Sequence, residues 1–217
     1  MHRRSPHHSY VPAAIDDLVT FMRRDDLAVL PHAAIVHAQF ETIHPFSDGN
    51  GRTGRAIVHC LLRAKRLTRQ VTVPVSAGLL VDTGRYFDAL TAYRAGDLRP
   101  IVERFAEASF DSIVNGRRLV ADLRVLRVGW SDAITSRRQA TVWRVLDVLF
   151  RYPVLDSALV RRELGVSAMG ADAAIAALVA IGALEEITGG RRNRRYAAVQ
   201  VLAALDAFAE RAGRRAS

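Results

Sequence analysis

The sequence lacks several features that mark particular classes of protein. Its 217 residues include one cysteine, Cys60, so no disulfide can form within the chain. No apolar run approaches the ~20 residues that are needed to span a bilayer. The basic N-terminus has no apolar core of the kind found in signal peptides. We therefore expect a cytoplasmic protein with no membrane segment.

Lysine is almost absent as well. Lys65 is the one lysine among 31 basic residues, which stand against 22 acidic residues and give a formal charge of +9. Such an excess suits a polyanionic partner, but a coding preference for arginine would also produce it. Half of the residues are hydrophobic. This composition is typical of a folded chain with one or two domains.

Hydrophobic periodicity predicts a mainly α fold, beginning with three helices. The first helix follows Pro12, the second runs over Pro31–Ile43, and the third runs from Arg52 to about Arg66. Pro45 disfavours helical geometry at His44, so the second helix should end there. The loop after His44 therefore connects two helices that each have an apolar face.

Further helices are expected downstream. Residues 71–76, V-T-V-P-V-S, predict a short extended segment, and residues 82–128 predict helices with these side chains facing inward: Tyr86, Leu90, Phe105, Ile113, Leu119 and Leu123. Periodicity lapses from Gly129 to Ser136, where small and polar residues cluster. We therefore predict a first domain at residues 1–130 and a linker at residues 131–136.

The rest of the chain predicts three short helices and a hairpin. The first helix stops before Pro153, the second runs from Asp156 to about Leu164, and the third opens at Ser167, a suitable N-cap. A-L-E-E-I, a T-G-G turn and R-R-N-R-R-Y-A-A-V predict the hairpin. This order is typical of a winged helix. We predict such a domain at residues 137–200, followed by a C-terminal helix or tail at residues 201–217.

The loop between the second and third helices reads T-I-H-P-F-S-D-G-N-G-R-T-G-R-A-I. In a glycine-rich turn that opens a helix, the backbone N–H groups point one way and the helix dipole adds positive potential. Gly49, Asn50 and Gly51 fit this requirement. Arg52 and Arg55 lie on one helical face, where both can grip phosphate oxygens. The pattern predicts a site for a multiply charged phosphate.

Two further residues of the loop suggest chemistry. Asp48 would repel phosphate unless a divalent cation lay between them, and Mg²⁺ commonly takes one carboxylate with phosphate oxygens and water. Imidazole titrates near neutral pH, so His44 could accept a proton from an incoming hydroxyl. These residues suit phosphoryl or nucleotidyl transfer, and structural roles remain the alternative for each. His32 and His37 fall within helical patterns and are expected to be structural.

The run H-P-F-S-D-G-N-G-R-T-G-R resembles the Fic family signature, His-x-Phe-x-(Asp/Glu)-Gly-Asn-Gly-Arg-x-x-Arg. Downstream, T-G-R-Y-F-D-A-L-T-A-Y-R-A-G-D-L-R-P-I-V-E-R-F-A is similar to the segment that follows the signature in Fic adenylyltransferases. The resemblance covers roughly residues 10–125. It implies a Fic-type helical domain that transfers AMP from ATP to a Ser, Thr or Tyr hydroxyl of a target protein.

The resemblance also implies roles for single residues. His44 would be the catalytic base, Asp48 the Mg²⁺ ligand, and Phe46 the anchor of the loop in the core. ATP would be bound by these residues: Asp48, Gly49, Asn50, Gly51, Arg52, Thr53, Gly54, Arg55, Tyr86 and Phe87. The last two match an aromatic pair that lies near the adenine in some members, although in a helix they could equally belong to the core. Arg94 stands where those members carry Asn.

Two parts of the family pattern are not found in this sequence. No hairpin pattern, which would form the flap that clamps the target peptide, precedes His44, and no Ser/Thr-x-x-x-Glu-Gly/Asn inhibitory motif is present. Inhibition of the transfer activity would then come from a separate inhibitory partner or from a segment upstream. The alternative hypothesis is a DNA-binding or adaptor protein whose shortened Fic domain binds nucleotide but turns it over poorly.

The predicted hairpin is basic. Residues 137–217 carry 13 arginines against 8 acidic residues, and four of the arginines could contact DNA phosphates from the hairpin: Arg191, Arg192, Arg194 and Arg195. The preceding helix, S-A-M-G-A-D-A-A-I-A-A-L-V-A-I, has no Arg, Lys, Asn or Gln to read base edges. These features predict DNA contact without sequence preference, or a role in protein docking.

Overall fold

The computed structural model describes residues 8–68, 79, 82–137, 140–190 and 193–213. The chain is mainly helical, as the sequence predicts, and it divides into two compact units. The N-terminal unit contains the described residues up to Val114, and the C-terminal unit contains those from Asn115 to Arg211. The predicted extended segment at residues 71–76 lies outside the described residues.

The N-terminal unit is built from helices. After a 3₁₀ turn, His8–Tyr10, these are α1 (Val11–Met22), α2 (Val29–Ile43), α3 (Asn50–Ala64), α4 (Thr83–Arg94) and the first part of α5 (Arg99–Ala133). Pro12 lies in the first turn of α1, where its missing N–H costs no hydrogen bond. Asp82 caps α4, because its side chain accepts a hydrogen bond from the Arg85 N–H at 3.0 Å.

The core of this unit combines apolar side chains with two buried histidines. Phe105 is fully buried, which stabilises the fold by about 1.5–3 kcal/mol for a side chain of this kind. The Nε2 of His32 donates to the carbonyl oxygen of Phe21 at 2.9 Å, and the Nε2 of His37 lies 2.8 Å from the hydroxyl of Tyr86. Both histidines therefore tie helices together, and their expected structural role is confirmed.

Helix α5 runs further than the sequence pattern predicts. It includes residues 131–133 of the predicted linker, and the two units divide inside it at Val114/Asn115 rather than after residue 130. The cause is that its C-terminal half joins the second core, where Trp130 is buried. Gly129 does not end the helix, because one glycine costs a helix only about 1 kcal/mol. Ile113, expected to face inward, is 40% exposed.

The C-terminal unit combines helices with a small antiparallel sheet. Its elements after α5 are α6 (Thr141–Leu149), β1 (Val154–Leu155), α7 (Ser157–Leu164), α8 (Ala168–Ala180), β2 (Glu185–Glu186), β3 (Tyr196–Ala197) and α9 (Val199–Arg211). The strand order is β1-β3-β2, with Ala197 opposite both Val154 and Glu185. The three helices and the hairpin that the sequence predicts are therefore present.

Side-chain caps fix where the short helices of this unit begin. Asp156 accepts a hydrogen bond from the Leu159 N–H at 2.7 Å, and Ser167 accepts one from the Gly170 N–H at 3.2 Å. The Ser167 cap confirms the prediction. Among the described residues no single helix is long and apolar enough to cross a membrane; α7 and α8 meet that test of length and composition only as a pair, with a bend of 114° between them.

Protonation of His37 should destabilise the N-terminal unit in acid. Burial lowers the pKa of His37 to about 4, and the charge of Arg55 acts in the same direction, whereas an unperturbed histidine has a pKa near 6.5. The unfolded chain thus binds this proton more tightly. The contribution of His37 to stability is complete above about pH 6.5 and is lost as the pH falls toward 4, with about 2 kcal/mol lost between pH 7 and pH 5.

The test compares the wild type with His37→Gln, whose amide can still bond to the Tyr86 hydroxyl. The free energy of opening of α2 is measured by hydrogen exchange at pH 7 and at pH 5. Its decrease between these two pH values should be about 2 kcal/mol smaller in the variant than in the wild type. Equal acid losses in the two chains would assign the effect to other groups.

Candidate functional site

The signature loop begins with a change of backbone direction at His44. This residue is the C-cap of α2 and has left-handed geometry, with φ 50° and ψ 58°. Its N–H still donates to the carbonyl oxygen of Phe40 at 2.9 Å, and Pro45 then prevents a further helical turn. A left-handed residue with a side chain costs about 1–2 kcal/mol. The sequence prediction that α2 ends at this histidine is confirmed.

The loop is held closed by Asn50, which acts as a clamp on the backbone. Its Oδ1 accepts from the Phe46 N–H at 3.0 Å and its Nδ2 donates to the Phe46 carbonyl oxygen at 2.6 Å. Asn50 is 3% exposed, whereas the Phe46 side chain is 50% exposed. The Phe46 ring lies 6.4 Å, between centroids, from the ring of buried Phe40, and its role as an anchor stays a prediction. The buried amide of Asn50 holds the loop closed, because it satisfies both polar groups of one residue's backbone.

The first turn of helix α3 has no side-chain cap. Gly49 is its N-cap residue with φ 86°, a conformation that favours glycine, and no side chain caps the helix. The first turn contains no acidic residue. Thr53 closes the turn instead, because its N–H and its hydroxyl both donate to the Gly49 carbonyl oxygen, at 3.0 and 3.1 Å. The N–H groups that begin α3 are therefore open to an anion.

The charged side chains of the loop differ in their surroundings. Asp48 and Arg52 form an ion pair of 3.2 Å, and their side chains are 92% and 75% exposed. Such an exposed pair contributes little to stability. Arg55 is partly buried and makes no ion pair or hydrogen bond with any residue that the structure describes. Arg55 is therefore the better placed of the two arginines to receive an anionic ligand.

Gly54 faces the neighbouring helix. A Cβ atom at this position would lie 3.0 Å from Oε1 of Glu41 and 3.2 Å from both Nδ1 of His37 and Cδ1 of Phe40. The residue is buried. The structure therefore gives Gly54, which the resemblance assigned to ATP binding, a packing position that allows α3 to approach α2 closely.

The aromatic pair on α4 is divided between core and surface. Tyr86 is 7% exposed and its hydroxyl is used by His37, so it belongs to the core. Phe87 is 47% exposed and lies against Tyr86, with 5.4 Å between the ring centroids. Phe87 is therefore the more exposed ring of the two.

Glu41 is a site residue that the sequence analysis did not single out. It is 6% exposed and lies on the face of α2 that meets Gly51 and Gly54. The available signal was its position four residues after His37 and three before His44, which puts it on their helical face. A carboxylate on the inner face of a helix between two histidines indicates a buried polar layer.

The residues of the loop fit a magnesium ion only as part of a complex with phosphate. Among the described residues, no three or more His, Cys, Asp and Glu side chains come together as a metal site. Asp48 offers one exposed carboxylate, which matches the way Mg²⁺ takes one protein ligand and completes its shell with phosphate oxygens and water.

The predicted DNA-contacting arginines lie in the C-terminal unit. Arg191 and Arg192 are outside the described residues. Arg194 is used within the hairpin, since its Nε lies 3.5 Å from the Glu186 carboxylate and donates to the Gly190 carbonyl oxygen at 3.1 Å. The Arg195 side chain is exposed.

Comparisons with known proteins find similarity to one family. Residues 2–62 match the sequence model of the Fic/DOC family. Protein adenylyltransferase fic-1 of Caenorhabditis elegans is 33% identical over 107 residues, 48% of this chain and 20% of that protein. Protein adenylyltransferase Fic of Drosophila willistoni is 30% identical over 110 residues, 46% of this chain and 21% of that protein. The N-terminal part of this chain is thus similar to the Fic/DOC family.

The reach of these matches is limited. This chain spans about a fifth of the length of the two relatives. A crystal structure of a Fic family protein from Desulfovibrio desulfuricans G20 matches with a TM-score of 0.49 and 24% identity, over 89% of this chain and 56% of that chain.

Replacing Gly54 with alanine tests whether this residue is needed for the close packing of α3 against α2, since alanine by itself favours a helix. Gly54→Ala should destabilise the N-terminal unit by about 1–3 kcal/mol, because the added methyl group would lie 3.0–3.2 Å from three buried atoms of α2, which must shift to accommodate it. Gly84→Ala is the control in the same unit: the nearest atom to its added Cβ is Oδ1 of Asp82 at 3.5 Å, an ordinary contact.

Both tryptophans belong to the C-terminal unit, so stability should be read from hydrogen exchange of α2 and α3 rather than from fluorescence. Gly84→Ala should leave the opening free energy of these helices unchanged. The packing role of Gly54 would be refuted by a Gly54→Ala chain as stable as the control.

Proposed function

We propose that this chain is a protein adenylyltransferase, which moves AMP from ATP to a Ser, Thr or Tyr hydroxyl of a target protein. The observation that carries the proposal is the structure of the signature loop. The close packing of α2 and α3 through Gly54 and the clamp of Asn50 bring His44, at the end of one helix, to the open first turn of the next. A base and an anion-binding turn are the two parts that nucleotidyl transfer requires.

The first turn of α3 binds the phosphates of ATP in this proposal. Its uncapped N–H groups and the helix dipole favour negative charge, and the partly buried Arg55 guanidinium adds two parallel donors. Arg52 is exposed and exchanges its bond with Asp48 for a phosphate oxygen. Phe87 presents its exposed face to the base, whereas the adenine role implied for Tyr86 is not supported by its burial.

His44 accepts the proton of the incoming hydroxyl. The hydroxyl oxygen forms a bond to the α-phosphorus, the bond from that phosphorus to the bridging oxygen breaks, and pyrophosphate leaves with the electron pair. The left-handed backbone at His44 ends α2 and places this residue at the start of the loop. Its Nδ1 is buried and has no hydrogen-bond partner in the described part of the chain.

A magnesium ion would be held by Asp48 together with phosphate oxygens. Bound there, it neutralises charge that develops on the leaving pyrophosphate. Asp48 is suited to this part because it is exposed and its ion pair with Arg52 is weak.

The C-terminal unit is proposed as a winged-helix domain that contacts DNA without sequence preference. Three helices, a hairpin and a strand β1 that pairs with β3 support the fold. The exposed Arg195 favours contact with phosphate. A groove of about 810 Å³ beside α8 is lined by charges of both signs: Asp156, Asp172, Glu186, Arg161 and Arg194. A cytoplasmic location and a separate inhibitory partner complete the proposal.

Labelled ATP tests the transfer reaction. With Mg²⁺ present, ATP labelled on the α-phosphate should label this chain or a protein in a lysate. His44→Ala should lower that rate by about 10²–10⁴-fold, the usual effect of losing a general base, with ATP affinity nearly unchanged. His59→Ala is the matched control, since His59 lies on α3 and has no part in the mechanism.

Two results would contradict the transfer reaction as described. Label that comes only from the γ-phosphate would indicate phosphorylation. An unchanged rate in His44→Ala would remove this histidine from the mechanism.

Salt dependence tests the proposed DNA contact. The full chain should bind duplex DNA with an affinity that falls steeply with salt, because each neutralised phosphate releases condensed counterion. Changing the four hairpin arginines to Ala should flatten the slope of log K against log salt by about one unit for each phosphate that is no longer neutralised. The control changes three arginines of α5: Arg117, Arg118 and Arg124.

The two sets of variants give a direct comparison by fluorescence anisotropy. The hairpin set should flatten the slope and the α5 set should not. Equal slopes in the hairpin variant and the wild type, or no binding at low salt, would leave the C-terminal unit as a docking module.

A further inference from the structure

A buried carboxylate lies directly beneath the turn that is proposed to bind phosphate. Glu41 is 6% exposed, and its Oε1 lies 3.0 Å from the position of a Cβ on Gly54 and 3.9 Å from that of a Cβ on Gly51. These two glycines are three residues apart on one face of α3. The carboxylate is therefore enclosed between α2 and the first turn of α3, where negative charge opposes the binding of an anion.

Arg55 shares this location with Glu41. Its Nη1 lies 3.2 Å from the Cβ position of Gly51, so the guanidinium and the carboxylate both lie close to the same glycine. The effect of Arg55 on the pKa of His37 also indicates that its charge acts on this buried layer.

We propose that Glu41 determines how much negative charge the loop accepts. Its carboxylate offsets part of the attraction from Arg55 and from the first turn of α3, and solvent screens a buried charge only weakly. Each added negative charge on the ligand therefore meets additional repulsion. The loop therefore binds ATP less tightly than its hydrogen-bond donors alone would allow. The loss of affinity is smallest for AMP, which carries the least negative charge of the three nucleotides. This inference rests on the proposed function, because it concerns the same phosphate site.

The test uses a series of ligands that differ in charge. Affinities for AMP, ADP and ATP are measured by isothermal titration calorimetry for the wild type and for Glu41→Gln, which removes the charge and keeps the size. The variant should bind AMP with little change and ATP about tenfold more tightly, with ADP between them. Inorganic triphosphate should show a gain similar to that for ATP, because it needs only the anion site.

A matched control and a second variant isolate the charge effect. Glu103→Gln makes the same chemical change at an exposed position of the same unit and should leave all three affinities unchanged. Glu41→Leu removes the charge with an apolar side chain of similar length, which suits the interface between two helices. It should show the same charge-dependent gain, and it serves if Glu41→Gln does not fold.

The outcomes separate this inference from the proposed reaction. A uniform change across the three ligands would mean that Glu41 acts on the fold, and a loss of ATP affinity would mean that it supports Arg55; either result overturns the inference. AMP labelling together with unchanged affinities in Glu41→Gln would also overturn it, while leaving the proposed function intact. A charge-dependent gain without any AMP transfer would sustain the inference and refute the transfer reaction. Absence of binding by every chain would refute both.

Discussion

The close approach of α2 and α3 is the constraint on which the candidate site depends. At Gly54 the backbone of α3 lies so near α2 that a Cβ atom would lie 3.0–3.2 Å from atoms of Glu41, His37 and Phe40, closer than most Cβ contacts. Since α2 ends at His44 and α3 begins at Asn50, this packing fixes both ends of the signature loop. The short loop then has few conformations available to it. A geometry suited to catalysis therefore follows from helix packing and needs few bonds within the loop itself.

The same packing creates a polar layer inside the N-terminal unit. His37 is held neutral by burial, its ring meets the Tyr86 hydroxyl, and Glu41 lies one helical turn further along. Burying such groups costs free energy unless they are bonded. The bond between His37 and Tyr86 offsets part of that cost. Because the layer lies next to the first turn of α3, its polar groups act on the electrostatic potential of the phosphate site.

Much of the fold could be predicted from the sequence, because it depends on local rules. Pro45 ends α2 and Ser167 caps α8 through the chemistry of neighbouring residues, so the pattern alone indicated them. The end of α5 could not be predicted in this way. Its C-terminal half is held as helix by Trp130 and the second core, and packing between segments distant in sequence leaves no periodicity of its own.

The residue types of the candidate site could be predicted from the sequence, but the role of each residue could not. The signature identified the loop, whereas the roles of Phe46, Asn50 and Gly54 depend on which side of the backbone each faces. An asparagine can bind an anion or clamp the backbone, and the sequence is the same in both cases. Here Asn50 is buried with both amide atoms used on Phe46, so the anion-binding groups are reduced to backbone N–H groups and the two arginines, of which Arg55 is the less exposed.

The strained backbone at His44 depends on the contacts that the neighbouring residues make. A left-handed residue other than glycine is stable only where its surroundings compensate for its cost. Here the compensation comes from both sides: the bond from the His44 N–H to Phe40 retains the last turn of α2, and the Asn50 clamp holds the backbone two residues further on. Both supports lie in the chain immediately around the histidine. The orientation of the proposed base is therefore coupled to the same asparagine that shapes the phosphate turn, and a disturbance of the clamp would reach the base and the anion site together.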